Sequence, residues 1–180
     1  LGQSSDPTAI AVLHHQIGVL DPNSEFERHC NIGRKPQTPC VRTDVRHLER
    51  LPLGMSYPAV VQHVANLLTR APLQDAELVI DETGVGRAVG DIFIDAGMKP
   101  QRISITAGSE ATWAGRDRWH VAKTILISTV DAMLHTGTLR IAAALREADA
   151  MAEELKDFRR KLSDAGRATY AARTGRHDDL

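Results

Sequence analysis

The sequence predicts an α/β fold, a mixed sheet with helices packed on its faces. Three observations carry that prediction. Stretches with strand character come first, and helical and strand patterns then alternate to the end of the chain. The segment AELVIDETGVGRAVGDIF, residues 76–93, passes from an apolar strand through a glycine turn into an amphipathic helix. Finally, 180 residues that are 42 % hydrophobic but only 4 % aromatic imply one domain-sized core of Val, Ile, Leu and Ala.

Each element has its own local reason. From Thr8, TAIAVLHH is β-branched and apolar and predicts a strand. Asp21 to Glu25 has turn composition, so Phe26 to Ile32 is expected to return as the antiparallel partner. Val41 to Leu53 shows no clean period. Ser56 is placed as an N-cap and Pro58 in the first turn of a helix, with Val60, Val61, Val64, Leu67 and Leu68 on one face and Pro72 beyond its end. Leu78 to Ile80 is a strand ending at Asp81. The next helix carries Val85, Val89, Ile92 and Phe93 on one side, and Gly97 stops it. Arg102 to Thr106 is a short strand, and Ala107 to Trp119 a loop or hairpin. A helix then runs from Ala122 to Gly137, and a short strand, TLRIA, comes after it. Ala144 to Leu162 predicts one long charged helix, ATYAA a last strand, and TGRHDDL the start of a final helix. There is no internal repeat.

Composition excludes some classes. No run of 18 apolar residues exists, so no membrane span is expected. Two cysteines, Cys30 and Cys40, make no disulfide framework. With His29 and His47 they lack the close Cys-x-x-Cys spacing of a zinc knuckle. A net charge of −1 does not mark a nucleic-acid binder, although a sum conceals local patches. The chain opens without Met and stops where a helix pattern is only beginning, so we expect an excerpt of a longer protein.

Asp81, an acid at the end of an apolar strand, has three readings: a nucleotide site, a metal site, or a strand end meeting water. Gly84-x-Gly86-x-x-x-Gly90 is one residue longer than the dinucleotide fingerprint, and the next strand ends in Thr106 rather than the ribose-binding acid. The phosphate-loop pattern is absent. A divalent cation would need further carboxylates. Asp178 and Asp179 stand in the first turn of the expected last helix, beside His177; acids there also simply complement the helix dipole. Asp6, in the turn-forming DPT, is a third possibility. A strand running into Leu1-Gly2 from upstream would offer a better one.

Taken in order, LGQSSDPTAIAVL, LVIDETGVGRAVGDIF, ISITAG, WHVAKTILISTV, LRIA, EELKDFRRKLS and GRHDDL resemble the C-terminal nuclease domain of the large terminase subunit of tailed phages and prophages. The resemblance spans nearly the whole chain and departs at Ala122, where the family often has Pro. It implies a ribonuclease-H-like mixed sheet flanked by helices, a single nuclease domain over 1–180, and an ATPase motor absent from this fragment. It further implies that three acids bind two Mg²⁺ or Mn²⁺ ions and cut double-stranded DNA during genome packaging. The first acid would be the residue before Leu1, the second corresponds to Asp81, and the third to Asp179, with Asp178 in reserve; Asp6 is a weaker substitute. His177 would orient a carboxylate or a water. The partners implied are DNA and, in the full protein, the terminase small subunit and the portal, in the cytoplasm of a bacterial host.

The chemistry is consistent with that implication. Two cations about 3.5–4 Å apart can activate a water and stabilise the leaving 3′ oxygen of a phosphodiester. DNA also needs cations on the protein. From Lys156 to Arg176 there are seven, including Arg160, Lys161, Arg167, Arg173 and Arg176, against two acids, Asp157 and Asp164. Lys123, Arg116 and Arg118 add to them. The other reading of Lys156 to Lys161 is a solvated helix face, and Trp113 and Trp119 suit hairpin packing better than base stacking. Two rival functions stay open at this level: a non-catalytic DNA- or portal-binding module of the same fold, and a nucleotide-binding α/β enzyme using Gly84 to Gly90.

Overall fold

The computed structural model describes residues 7–18, 40–84, 86–157, 159–162 and 168–171. Strand β1 (Ala9–Gly18) pairs antiparallel along its whole length with β2 (Cys40–Arg50), with a register shift between Val12 and Leu13. Helix α1 (Tyr57–Leu68) and a 3₁₀ turn (Leu73–Asp75) lead to β3 (Val79–Asp81). Then come α2 (Gly86–Asp95), β4 (Gln101–Thr106), and a hairpin of β5 (Ala111–Trp113) and β6 (Arg118–Ala122). Helix α3 (Lys123–His135), β7 (Leu139–Ile141) and α4 (Ala148–Asp157) come next, and β8 (Arg159–Leu162) pairs with β9 (Ala168–Ala171).

The strands form two mixed sheets and a hairpin. One sheet has the order β1-β2-β7, the other β3-β4-β6-β5. In the second, β3, β4 and β6 run parallel, which demands the crossover helix α2 between β3 and β4. The core lies under β3. Val61 and Val64 of α1 meet Val89 and Phe93 of α2 over Ile80, and Ile10 of β1 packs against the same cluster. Each such side chain contributes about 1.5–3 kcal/mol by leaving water.

Local signals account for most boundaries. Pro58 stands in the first turn of α1, though the Ser56 side chain makes no capping bond. Gly97 ends α2 at φ +83°, with its N–H on Ile94 O at 2.8 Å and Met98 N–H on Phe93 O at 3.1 Å, a Schellman closure. Gly137 (φ +66°) closes α3 in the same way.

One expectation needs correction and another falls outside the described residues. The partner of β1 is β2, inside the stretch without a clean period, while Phe26 to Ile32 lies outside the described residues. Strand β2 hid its period because Thr43, Asp44 and Val45 are all buried, so both its faces are covered and polar groups sit inside. The expectation to correct is the long helix over 144–162. Helix α4 spans ten residues only, and Arg159 to Leu162 pairs across a hairpin with Ala168 to Ala171. Helix propensity is a weak prior that strand pairing overrides.

Candidate functional site

The C-terminal end of β3 positions two consecutive carboxylates on opposite sides. Asp81 is exposed. Its Oδ1 accepts a 2.8 Å hydrogen bond from the Thr83 N–H, and Gly84 at φ +79° then turns the chain toward α2. A side chain at that φ would be strained, so Gly84 answers to turn geometry.

Glu82 is buried, at 7 % exposure, and extends the ladder through its N–H on Ile103 O at 2.9 Å. Its Oε2 accepts from Arg102 Nε at 2.8 Å. Its Oε1 accepts from Ser104 Oγ at 3.4 Å and lies 3.8 Å from Arg118 Nε. Arg102, only 2 % exposed, directs its remaining nitrogens to Asp91 Oδ1 at 3.0 Å and the Arg87 carbonyl at 2.8 Å. Burial alone would lower the Arg102 pKa; the hydrogen bonds to Glu82 and Asp91 outweigh it and raise it.

This cluster explains Gly90. A Cβ there would stand 2.3–2.4 Å from the Arg102 guanidinium. The glycine leaves room for a buried arginine, so two of the three glycines of the imperfect fingerprint have roles that involve no nucleotide. The pattern did not disclose Glu82, Arg102 and Asp91 as a unit. The only available signal was a charged residue, Arg102, at the head of an apolar strand.

A second ionic cluster lies on β2. Asp44 accepts from Arg42 Nε at 2.8 Å and Nη2 at 2.6 Å, and from Arg46 Nη2 at 2.8 Å. Arg140 of β7 stands opposite it in the register. The Arg42 hydrogen bonds, helped by the charges of Arg46 and Arg140, hold the Asp44 carboxyl below its ordinary range against the effect of burial. Glu49, nearby on the same strand, accepts from His63 at 3.0 Å and His47 at 3.2 Å.

Of the other expected site residues, Lys123, Arg160 and Lys161 lie within the described part of the chain. Asp6, Arg167, Arg173, Arg176, His177, Asp178 and Asp179 lie outside the described residues. Arg160 and Lys161 are on β8. Lys123 is the first residue of α3, directly after the fully buried Ala122. Trp113 and Trp119 face each other across the β5–β6 hairpin, and Trp113 Nε1 donates to Arg116 O at 3.0 Å, so they serve the hairpin. Among the described residues no three His, Cys, Asp or Glu side chains converge as a metal site. One cation-ready carboxylate, Asp81, stands at the end of β3: Thr83 holds one of its oxygens, and Glu82 beside it is fully committed.

No family model matches the chain, and no curated protein matches it by sequence. Solved structures do match. The large terminase nuclease from thermophilic phage G20c with bound cobalt aligns over 98 % of this chain and 80 % of its own, at TM-score 0.61 and 17 % identity. The same phage's large terminase nuclease with bound magnesium aligns over 99 % and 85 %, at TM-score 0.61 and 18 % identity. No helix among the described residues is long and apolar enough to cross a membrane. What this chain shares with those proteins is the fold, the ribonuclease-H-like mixed α/β architecture of a large terminase nuclease.

Proposed function

We propose that the chain is the nuclease domain of a tailed-phage or prophage large terminase subunit, cutting double-stranded DNA during genome packaging. One observation carries this reading. In a chain matched almost end to end by large terminase nucleases, Asp81 is an exposed, nearly unpartnered carboxylate at the end of a parallel strand, while its neighbour Glu82 is consumed by the core. The G20c structures hold cobalt and magnesium.

Asp81 would hold a divalent cation together with Asp179, or Asp178, and an acid preceding Leu1, with Asp6 as a weaker substitute and His177 as an orienting group. Asp81 fits that role: a carboxylate whose Oδ1 is fixed by a backbone N–H can present Oδ2 without a rotamer search. Two Mg²⁺ or Mn²⁺ ions, when bound, supply activation of water and stabilisation of the leaving oxygen. The protein's own part is positioning. Strand β3 is held by β4 on one edge and by the Glu82–Arg102 pair beneath, so the carboxylate stands on a rigid element. Lys123, Arg160, Lys161, Arg167, Arg173 and Arg176 would meet phosphates, and the small subunit and portal would be partners in a bacterial cytoplasm.

The test is cleavage of supercoiled plasmid with Mn²⁺, Mg²⁺ or chelator, by this chain and by one extended upstream of Leu1. Metal-dependent cutting that Asp81→Ala abolishes, with folding unchanged, is the expected result. Folded proteins that bind DNA but cut in no metal would move the assignment to a non-catalytic DNA- or portal-binding module.

A further inference from the structure

Arg102 and Arg118 are direct partners in the β4–β6 register, so two arginines stand side by side on one face of the sheet. Like charges placed that way repel unless anions intervene. The acids present do not serve both. Glu82 Oε2 accepts from Arg102 at 2.8 Å, while its Oε1 stops 3.8 Å from Arg118 Nε, beyond hydrogen-bond reach. Asp91 also goes to Arg102. Arg118 Nε is left buried with no hydrogen-bond partner among the described residues, and an unmet donor of this kind is costly.

Arg118 and Arg102 line a cavity of about 650 Å³ between α2 and the tip of the β5–β6 hairpin. Its walls are already formed. The hairpin tip is tied down by Ala114 N–H on Arg118 O at 2.9 Å and by Arg102 N–H on Asp117 O at 2.7 Å. At that tip Arg116 holds φ +48°, the one non-glycine residue at positive φ among the described residues. Across the cavity stand Ile94 of α2, which is exposed, and Met98 and Lys99 just beyond it. Neither Lys99 nor Arg116 has a side-chain ion pair among the described residues. The lining holds four cations, Lys99, Arg102, Arg116 and Arg118, against Asp91 and Asp117. Even with Glu82 counted behind them, cations outnumber acids.

Three cations short of acceptors, on separate sides of one cavity, call for an anion with several oxygens. A carboxylate or a phosphodiester offers two; a phosphate monoester offers three, and guanidinium forks match them. The volume lies in the range of small-molecule sites, about 300–1,000 Å³, and the Ile94–Met98 wall is apolar, so the phosphate carries an organic body. We propose that this cavity binds a phosphate monoester on an apolar body, the chemistry of a nucleoside 5′-monophosphate, with the phosphate on Arg118, Arg116 and Lys99 and the body against Ile94 and Met98. A free nucleotide and the 5′-phosphorylated end of a DNA strand both supply that chemistry. Asp81 does not line the cavity, and the inference is independent of DNA cleavage.

Calorimetric titration of the folded 180-residue chain, in chelator, tests it. The probes are deoxyadenosine 5′-monophosphate, deoxyadenosine and inorganic phosphate. We expect the monophosphate to bind at least about tenfold more tightly than either of the others, and Arg118→Gln to weaken it by about tenfold, the scale of charged hydrogen bonds. Should Arg118→Gln fail to fold, the double variant Lys99→Ala with Arg116→Ala, at exposed positions, is expected to show the same loss. Asp81→Asn should bind the monophosphate unchanged. A short single strand with and without a 5′-phosphate then separates the sources. Competition by the phosphorylated strand alone assigns the site to DNA ends, and competition by neither assigns it to a free nucleotide. A monophosphate that binds no better than deoxyadenosine, or equally well to the folded variants, would overturn the inference. So would strands that compete equally with and without the phosphate, which would make the cations a backbone-binding patch.

Discussion

Asp81 and Glu82 are adjacent in sequence and opposite in surroundings. One carboxylate stands in water at the end of β3 with a single backbone donor; the other is buried under two arginines and a serine. Strand alternation sends them to opposite sides. The chemical consequence is large. A buried carboxylate whose oxygens are all engaged cannot accept a cation without breaking the core, whereas an exposed, lightly held one can. The Arg102 cluster is thus a foundation and Asp81 the candidate working group. The Asp44 cluster differs in charge balance, with one acid among three arginines where the Arg102 cluster has two acids and two arginines, and it lies on the sheet β1-β2-β7.

The contrast can be broken at several points. The largest expected effect is at Arg102. Arg102→Met strands Glu82 as a buried charge and should cost about 3–5 kcal/mol, as breaking a buried ion pair does; urea unfolding measures it. A loss below about 1 kcal/mol, the level of an exposed pair, would show that the cluster is not a foundation. Gly90→Ala comes next. Its methyl meets the guanidinium, and because Arg102 is tied by several bonds the overlap should cost about 1–3 kcal/mol. If melting is unchanged, Arg102 has moved aside freely.

The Asp44 cluster should respond less. Arg42→Ala leaves Arg46 and Arg140 beside Asp44, so the loss should be about 1–2 kcal/mol, between exposed and buried ion pairs. Its pH signature has a definite sign. The Asp44 carboxyl is held below its ordinary value of 3.8, so its contribution is present above that pH and drains as pH falls through the lowered value. Glu49 acts in the same direction: burial raises it, but the His63 and His47 hydrogen bonds outweigh that and hold it below 4.5. Melting between about pH 2 and 5 should show the slope, and Asp44→Asn should flatten it. An equal slope in the variant would assign acid lability elsewhere.

Sequence and structure agree where local rules decide. The helix over 57–68, the glycine stops at Gly97 and Gly137, and the strand ending at Asp81 all come from period, capping and turn chemistry. They part where tertiary context decides. Strand β2 was illegible because a buried Asp44 breaks alternation, and its burial is tolerated only through Arg42, Arg46 and Arg140, residues on two strands. The basic run at Arg159 suited a helix C-terminus equally well. Asp81 was legible as a candidate because an acid ending an apolar strand stands out. Glu82 was not, because its partner Arg102 lies 20 residues away, across a parallel pairing.

The most direct measurement pairs two variants and two readouts. Asp81→Asn and Glu82→Gln are made in the upstream-extended chain, and each is assayed for Mn²⁺-dependent plasmid cleavage and for unfolding free energy. We expect Asp81→Asn to lose cleavage with its stability intact, and Glu82→Gln to lose stability while retaining cleavage in the fraction that stays folded. Cleavage surviving in Asp81→Asn, or vanishing in a fully folded Glu82→Gln, would contradict the division of roles between the two carboxylates.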